Sequence, residues 1–235
     1  MSSSQPTASD RREFLGRIAV AASAAALLSG AGCASPLAAG AQRLTATPAS
    51  GRAFDDSWTQ KVSAAKHRAV FDSPAVEAGI ALSQAVTYLT GYREMFPDSE
   101  AVAVVVLRHM GTVMAMNDAL WSKYELGEMV KLKDPSTDAM AKRNPFIHVD
   151  KNDKKAYIEP EESLEALRAR GVVLLVCNKA LMGLGGRLAE KLKRPVDEVR
   201  AEFRAGLVPG VVLQPSGIYA VARAQEVGCS LIRST

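Results

Sequence analysis

The chain has 235 residues, 48% hydrophobic and 23% charged, a balance that builds a real core and excludes wholesale disorder. Its length accommodates one domain with extensions or two small ones. A formal charge of +4, from 29 Lys and Arg against 25 Asp and Glu, lacks the concentrated basic stripe of a nucleic-acid binder, and three cysteines with three histidines argue against a disulfide framework or a multi-ligand metal site.

The chain opens with a polar stretch, Met1 to Asp10, followed by Arg11-Arg12-Glu13-Phe14-Leu15 and an alanine-rich apolar run from Ile18 to Leu28. That run, about eleven residues, is shorter than the roughly 20 a spanning helix needs. Small residues follow, and Ala39-Gly40-Ala41 offers a processing site before Gln42. Charged start, short apolar middle and small-residue end predict a secretory signal over residues 1–41. The paired Arg11 and Arg12 before x-Phe-Leu resemble the twin-arginine export signal, which implies a periplasmic protein that meets the twin-arginine machinery and keeps no transmembrane segment after processing. Lipidation at Cys33 is disfavoured, because Gly30 stands where a lipobox carries Leu. Cleavage after Ala41 would leave Cys177 and Cys229 as the only cysteines.

Residues 42–65 read as a linker and a short leading helix carrying Trp58 and Val62 on one face. His67–Asp72 reads as a first strand, and Ser73-Pro74 as a cap with proline at the first position of a helix running to about Phe96. Ala101–Leu107 is nearly continuous β-branched apolar sequence, the pattern of a strand buried on both faces. A helix is predicted over about 112–126. The stretch 128–158, rich in Lys and Asp with Pro135 and Pro145, is too long for a plain connection and predicts a lid, an arm or an oligomer contact. Helices are expected over about 161–170, 179–193, 196–205 and 216–227, with strands at 172–177, 208–213 and 230–233. Strands alternating with helices predict a three-layer α/β fold over residues 66–235, a flavodoxin-like parallel sheet of about five strands with helices on both faces.

Ligands of such sheets bind outside the carboxyl ends of the strands, which here are Asp72, Arg108-His109-Met110, Cys177-Asn178 and Gln214-Pro215. A cysteine at a strand-to-helix junction sits near a helix amino terminus, whose field favours thiolate and makes Cys177 a candidate nucleophile or sulfur carrier. His109 is its candidate base or imidazolium partner. Lys179 adds a nearby positive charge, and Asp72, Asn178 and Gln214 are candidate substrate contacts. The blander alternative stands beside this: a cysteine after four apolar residues is commonly a small core residue, His109 could cap a helix, and Asp72 could merely precede a turn. Cys177 and Cys229 lie at opposite edges of the sheet, about 20 Å apart, beyond the roughly 7 Å a disulfide spans. Met110, Met114 and Met116 with His109 could suggest a soft-metal site, yet methionines so spaced are more often core filler, so neither metal nor cofactor is expected. Gly183-Leu184-Gly185-Gly186 falls within a helix rather than after a strand and is no dinucleotide fingerprint.

The stretch from Gly171 through Cys177-Asn178-Lys179-Ala180-Leu181, the later Leu207-Val-Pro-Gly-Val-Val-Leu-Gln214-Pro-Ser-Gly217, and the ending from Ile218 to Ser230-Leu-Ile-Arg233 resemble the DsrE/DsrF family. The resemblance covers about residues 66–234 and is most specific from Gly171 onward. It implies a flavodoxin-like fold, assembly as homo-trimers or hexamers, and sulfur-relay chemistry in which a cysteine at the position of Cys177 carries a persulfide, exchanged with a donor or acceptor protein. The alternative is a non-catalytic oligomeric protein that binds a small ligand or partner in the same strand-edge pocket.

Overall fold

Residue alternation in the strands builds the layers. The computed structural model describes residues 53–234, so Arg11, Arg12, Cys33, Ala39 and Ala41 lie outside the described residues. Five strands, β1 (His67–Ser73), β2 (Ala101–Leu107), β3 (Val173–Cys177), β4 (Val212–Gln214) and β5 (Ser230–Arg233), form one all-parallel sheet in the order β4-β3-β2-β1-β5. Strand β2 is central and buried from Val102 to Leu107, as its unbroken apolar sequence requires. Successive side chains point to opposite faces. Phe71, Val105, Leu107, Leu174 and Val176 go to one core, and Val70, Val104, Val106, Val173 and Leu175 to the other.

The larger core is covered by α2 (Ile80–Met95), α3 (Asp118–Lys123), α4 (Leu126–Val130), α5 (Leu164–Ala169), α6 (Asn178–Lys191) and α7 (Val196–Ala205). The smaller core is closed by α1 (Trp58–Ala64) and α8 (Gly217–Glu226), through Trp58, Val62, Ala220 and Ala224. This is a three-layer, flavodoxin-like α/β fold. The edge position beside β1 is held by β5, where flavodoxin itself, with order 2-1-3-4-5, places its second strand.

Three expectations are corrected by the backbone. Strand β1 continues through Ser73, whose hydroxyl donates to the Ala75 carbonyl at 3.0 Å, so Ser73-Pro74 caps no helix. Helix α2 starts only after Glu77, Ala78 and Gly79, all at positive φ. At Gly79 a Cβ would fall 2.7 Å from Ile158 and 2.9 Å from Phe146. The helix expected over 112–126 is instead a 3₁₀ turn, His109–Ala115, followed by the short α3 and α4. Strand β4 is only Val212–Gln214, because a turn with Gly210 at φ +86° occupies the preceding residues.

Segment 128–158, whose charges read as a solvated face with Phe146, Ile147 and Tyr157 as anchors, is packed into the larger core through Leu132, Ala141, Phe146, Val149 and Ile158, with Ile147 and Tyr157 against it. Buried Asn144 pins it: its amide nitrogen donates to the Met114 and Met116 carbonyls, both at 2.7 Å, and its oxygen accepts from Phe146 N. Asp134 is buried and held by Arg143 at 3.0 Å. Burial raises its carboxyl, but backbone amides of Ser136 and Thr137 together with Arg143 outweigh that and hold it below the usual range. Among the described residues no helix is long and apolar enough to cross a membrane.

Candidate functional site

The strand order fixes where a ligand can enter. At the carboxyl end of β3 the chain turns into α6 on one face, while at the end of its neighbour β4 it turns into α8 on the other. Between these diverging helices a parallel sheet opens a crevice. A cavity of about 320 Å³ lies there, lined by Arg108, His109, Met110, Cys177, Lys179, Ala180, Gly183, Arg187, Ser216, Gly217 and Ile218.

Cys177 forms the floor. It is the last residue of β3, paired in register with Gln214, and the N-cap of α6. Its sulfur accepts from the Ala180 amide at 3.2 Å, three residues on, as a serine oxygen does at a helix start. Opposite it, Ser216 caps α8 by accepting from Tyr219 N at 3.1 Å. Two helix amino termini therefore face one cavity, and the first-turn amides of each have no partner within their helix.

Arg108 follows β2 and forms a side wall. Its Nε and Nη2 donate to the two carboxylate oxygens of Asp72 at 2.5 and 2.7 Å, a bidentate pair whose side chains are 23% and 12% exposed. The Asp72 hydrogen bond raises the Arg108 pKa; desolvation offsets part of that, and the charges of Asp72 and the Cys177 sulfur add to it. Two glycines permit this arrangement. A Cβ on Gly217 would lie 2.3 Å from Arg108 Cβ, so the arginine stem crosses the start of α8 only because no side chain stands there. A Cβ on Gly111 would lie 2.4 Å from the Ser73 carbonyl oxygen, so the 3₁₀ turn that begins at His109 can cross the end of β1.

His109 lines the cavity, exposed, with φ +51°. Lys179, Gly183 and Arg187 stand at i, i+4 and i+8 along one face of α6. The lining thus carries Arg108, Lys179, Arg187 and His109 and no Asp or Glu.

Of the residues expected at the site, Cys177, His109 and Lys179 meet in this cavity. Asp72 does not line it and is paired with Arg108, which does. Asn178 begins α6 outside the lining, its buried Oδ1 without a hydrogen-bond partner among the described residues. Gln214 is 1% exposed and ties β4 to the segment before α1, donating to the Asp55 carbonyl at 2.8 Å. Met114 and Met116 are fully buried in the larger core, which leaves them as packing residues. Arg108 and Met110, named at the carboxyl end of β2 without a role, also line it, whereas Arg187, Ser216 and Gly217 were given no place at the site from the sequence. The helical spacing of Arg187 from Lys179 would have found one of them.

Cys229 lies elsewhere, in the smaller core just before β5. Both described cysteines are free. Burial pushes the Cys229 thiol up to about 11, against a smaller opposing effect of Arg68.

No family model matches the chain. No curated protein matches it either. One solved structure similar to it is that of MTH1491 from Methanobacterium thermoautotrophicum, a protein of unknown function. It is 17% identical, with 72% of this chain and 99% of that chain covered and a TM-score of 0.34.

Proposed function

We propose that this chain is an exported sulfur-handling protein of the DsrE/DsrF type, in which Cys177 takes up sulfane sulfur as a persulfide and passes it on. One observation carries the reading: the Cys177 sulfur caps α6 at the switch between β3 and β4, in a cavity whose charged lining is entirely cationic. A thiolate and the persulfide it becomes are both anions, and amides and cations around them favour both. The persulfide's outer sulfur would project into the cavity, where an acceptor thiolate can attack it and release the Cys177 thiolate. Arg108 and Lys179 would balance charge, and His109 would hold or release a proton at its ring.

The twin-arginine pattern at Arg11 and Arg12 supports a periplasmic location, and the resemblance from Gly171 onward supports assembly as a homo-trimer or hexamer. The test is intact-protein mass spectrometry after incubation with a polysulfide donor. Wild type should gain the mass of one sulfur atom, reversibly with dithiothreitol, and Cys177→Ser should gain nothing. If Cys177→Ser gains sulfur as readily as wild type, the reading fails. If neither protein gains sulfur but a small ligand protects Cys177 from alkylation, the site is a binding pocket without transfer.

A further inference from the structure

The wall around Cys177 carries information about the donor that the cysteine alone does not. Three basic side chains come from two separate places, Arg108 from the end of β2 and Lys179 with Arg187 from one face of α6. Arg108 is held rigidly. Asp72 engages its Nε and Nη2, and Gly217 lets its stem lie flat across α8, while Nη1 donates to no protein group among the described residues. A guanidinium fixed in this way, with one edge unspent, presents a planar pair of donors to an oxyanion. Lys179 and Arg187 are exposed and line the same cavity.

From this geometry we infer that the cavity is an oxyanion subsite contiguous with the Cys177 sulfur, and that its donor is a small thiosulfonate-type anion, of which thiosulfate is the simplest. The inference rests on the sulfur-carrier reading and adds the class of donor to it. The sulfonate oxygens lie against Arg108 Nη1, Lys179 and Arg187, which turns the terminal sulfane sulfur toward Cys177. The thiolate attacks that sulfur. A new sulfur–sulfur bond forms at Cys177 as the bond to the sulfonate sulfur breaks, and sulfite leaves with the electron pair. The cysteine sulfur is oxidised and the sulfonate sulfur reduced, with no proton consumed and the total charge unchanged. The same cations that bind the donor then hold the departing sulfite. Asp72 is a positioning residue here, acting only through Arg108.

The experiment separates binding from transfer. The full chain carrying Cys177→Ser is titrated calorimetrically with thiosulfate at low ionic strength, and wild type is assayed in parallel for sulfite release and for mass gain at Cys177. Saturable thiosulfate binding to Cys177→Ser is expected, weakening as salt rises. Adding Arg108→Gln should weaken it about tenfold or more. Lys179→Gln and Arg187→Gln, both at exposed positions that do not threaten folding, should each weaken it roughly two- to fivefold. Lys66→Gln, which removes one charge at the opposite edge of the sheet, should leave it unchanged. Asp72→Asn should weaken binding while wild-type-like folding is retained by circular dichroism, and Asp72→Glu should restore part of it.

Absence of saturable binding in Cys177→Ser, or binding unaffected by Arg108→Gln, Lys179→Gln and Arg187→Gln alike, overturns the subsite. Binding that depends on these residues, without sulfite release or mass gain in wild type, overturns the donor assignment. If a polysulfide still loads Cys177 in that case, the sulfur-carrier reading survives. If it does not, that reading falls as well.

Discussion

The two described cysteines are equally shielded, each 6% exposed, yet the fold places them in opposite chemical settings. Cys177 ends a strand where the sheet opens. Its sulfur meets a helix amino terminus, an amide donor at 3.2 Å and a cavity lined by cations. Cys229 precedes the edge strand β5 inside the smaller apolar core, among Val70, Ala220 and Ala224. Its thiol is pushed up to about 11 by desolvation. Equal fractional exposure therefore does not mean equal surroundings. What differs is whether the neighbourhood offers a hydrogen-bond donor and cationic side chains to the sulfur or merely removes water from it.

Substitution at the two positions should break the comparison most sharply. Cys177→Ser is expected to abolish sulfur uptake altogether, while Cys229→Ala retains it and loses only packing, about 1 kcal/mol of stability for a small cavity. Iodoacetamide at neutral pH, followed by peptide mapping, should modify Cys177 and leave Cys229 unmodified until the protein is unfolded. Modification of Cys229 first would refute the contrast.

Much of the fold is legible in the sequence. Strand β2, helix α7 and strand β5 follow the sequence expectation residue for residue; β2 is an unbroken β-branched apolar run, and α7 opens on Pro195 with Asp197 and Glu198 in its first turn. Cys177, His109 and Lys179 were legible for a topological reason: parallel sheets gather chemistry at the carboxyl ends of their strands. What was hidden depends on contacts distant in sequence. The start of α2 is delayed by left-handed backbone at Glu77, Ala78 and Gly79, fitted against Phe146 and Ile158. Those two residues belong to a segment whose charges read as a solvated face; Phe146 is legible as an anchor, but its burial with Leu132, Val149 and Ile158 and the hydrogen bonds of Asn144 to Met114 and Met116 are not. Asp72 likewise stands at the expected edge, but its partner Arg108 lies 36 residues on, joined by the β1–β2 pairing of Asp72 with Val106.

The wall of the Cys177 cavity gives the next largest effects. Asp72→Asn removes half of a partly buried bidentate pair and should cost about 1–3 kcal/mol in urea unfolding. It should also slow sulfur loading by freeing Arg108 to turn away. Gly217→Ala should act similarly without touching any charge. The new Cβ would overlap the Arg108 stem, and relief of that overlap should cost about 1–3 kcal/mol and displace the guanidinium. If loading is unchanged in Gly217→Ala despite the lost stability, Arg108 does not set the geometry at Cys177.

The smallest expected effect is in the pH dependence of stability, and it belongs to Cys229 rather than Cys177. An ordinary thiol titrates near 9, and Cys229 in the folded chain titrates at about 11. The folded state therefore holds its proton more tightly than the unfolded state does. The stability this contributes is fully present below pH 9 and is lost as pH rises toward about 11. Thermal unfolding followed from pH 8 upward should show wild type losing stability between those values more steeply than Cys229→Ala, which lacks the group. The difference between the two curves isolates the buried thiol from the tyrosines and lysines that titrate in the same range. Parallel curves would mean that water reaches the Cys229 sulfur in the folded chain, and the contrast between the two cysteines would then rest on the Cys177 cavity alone.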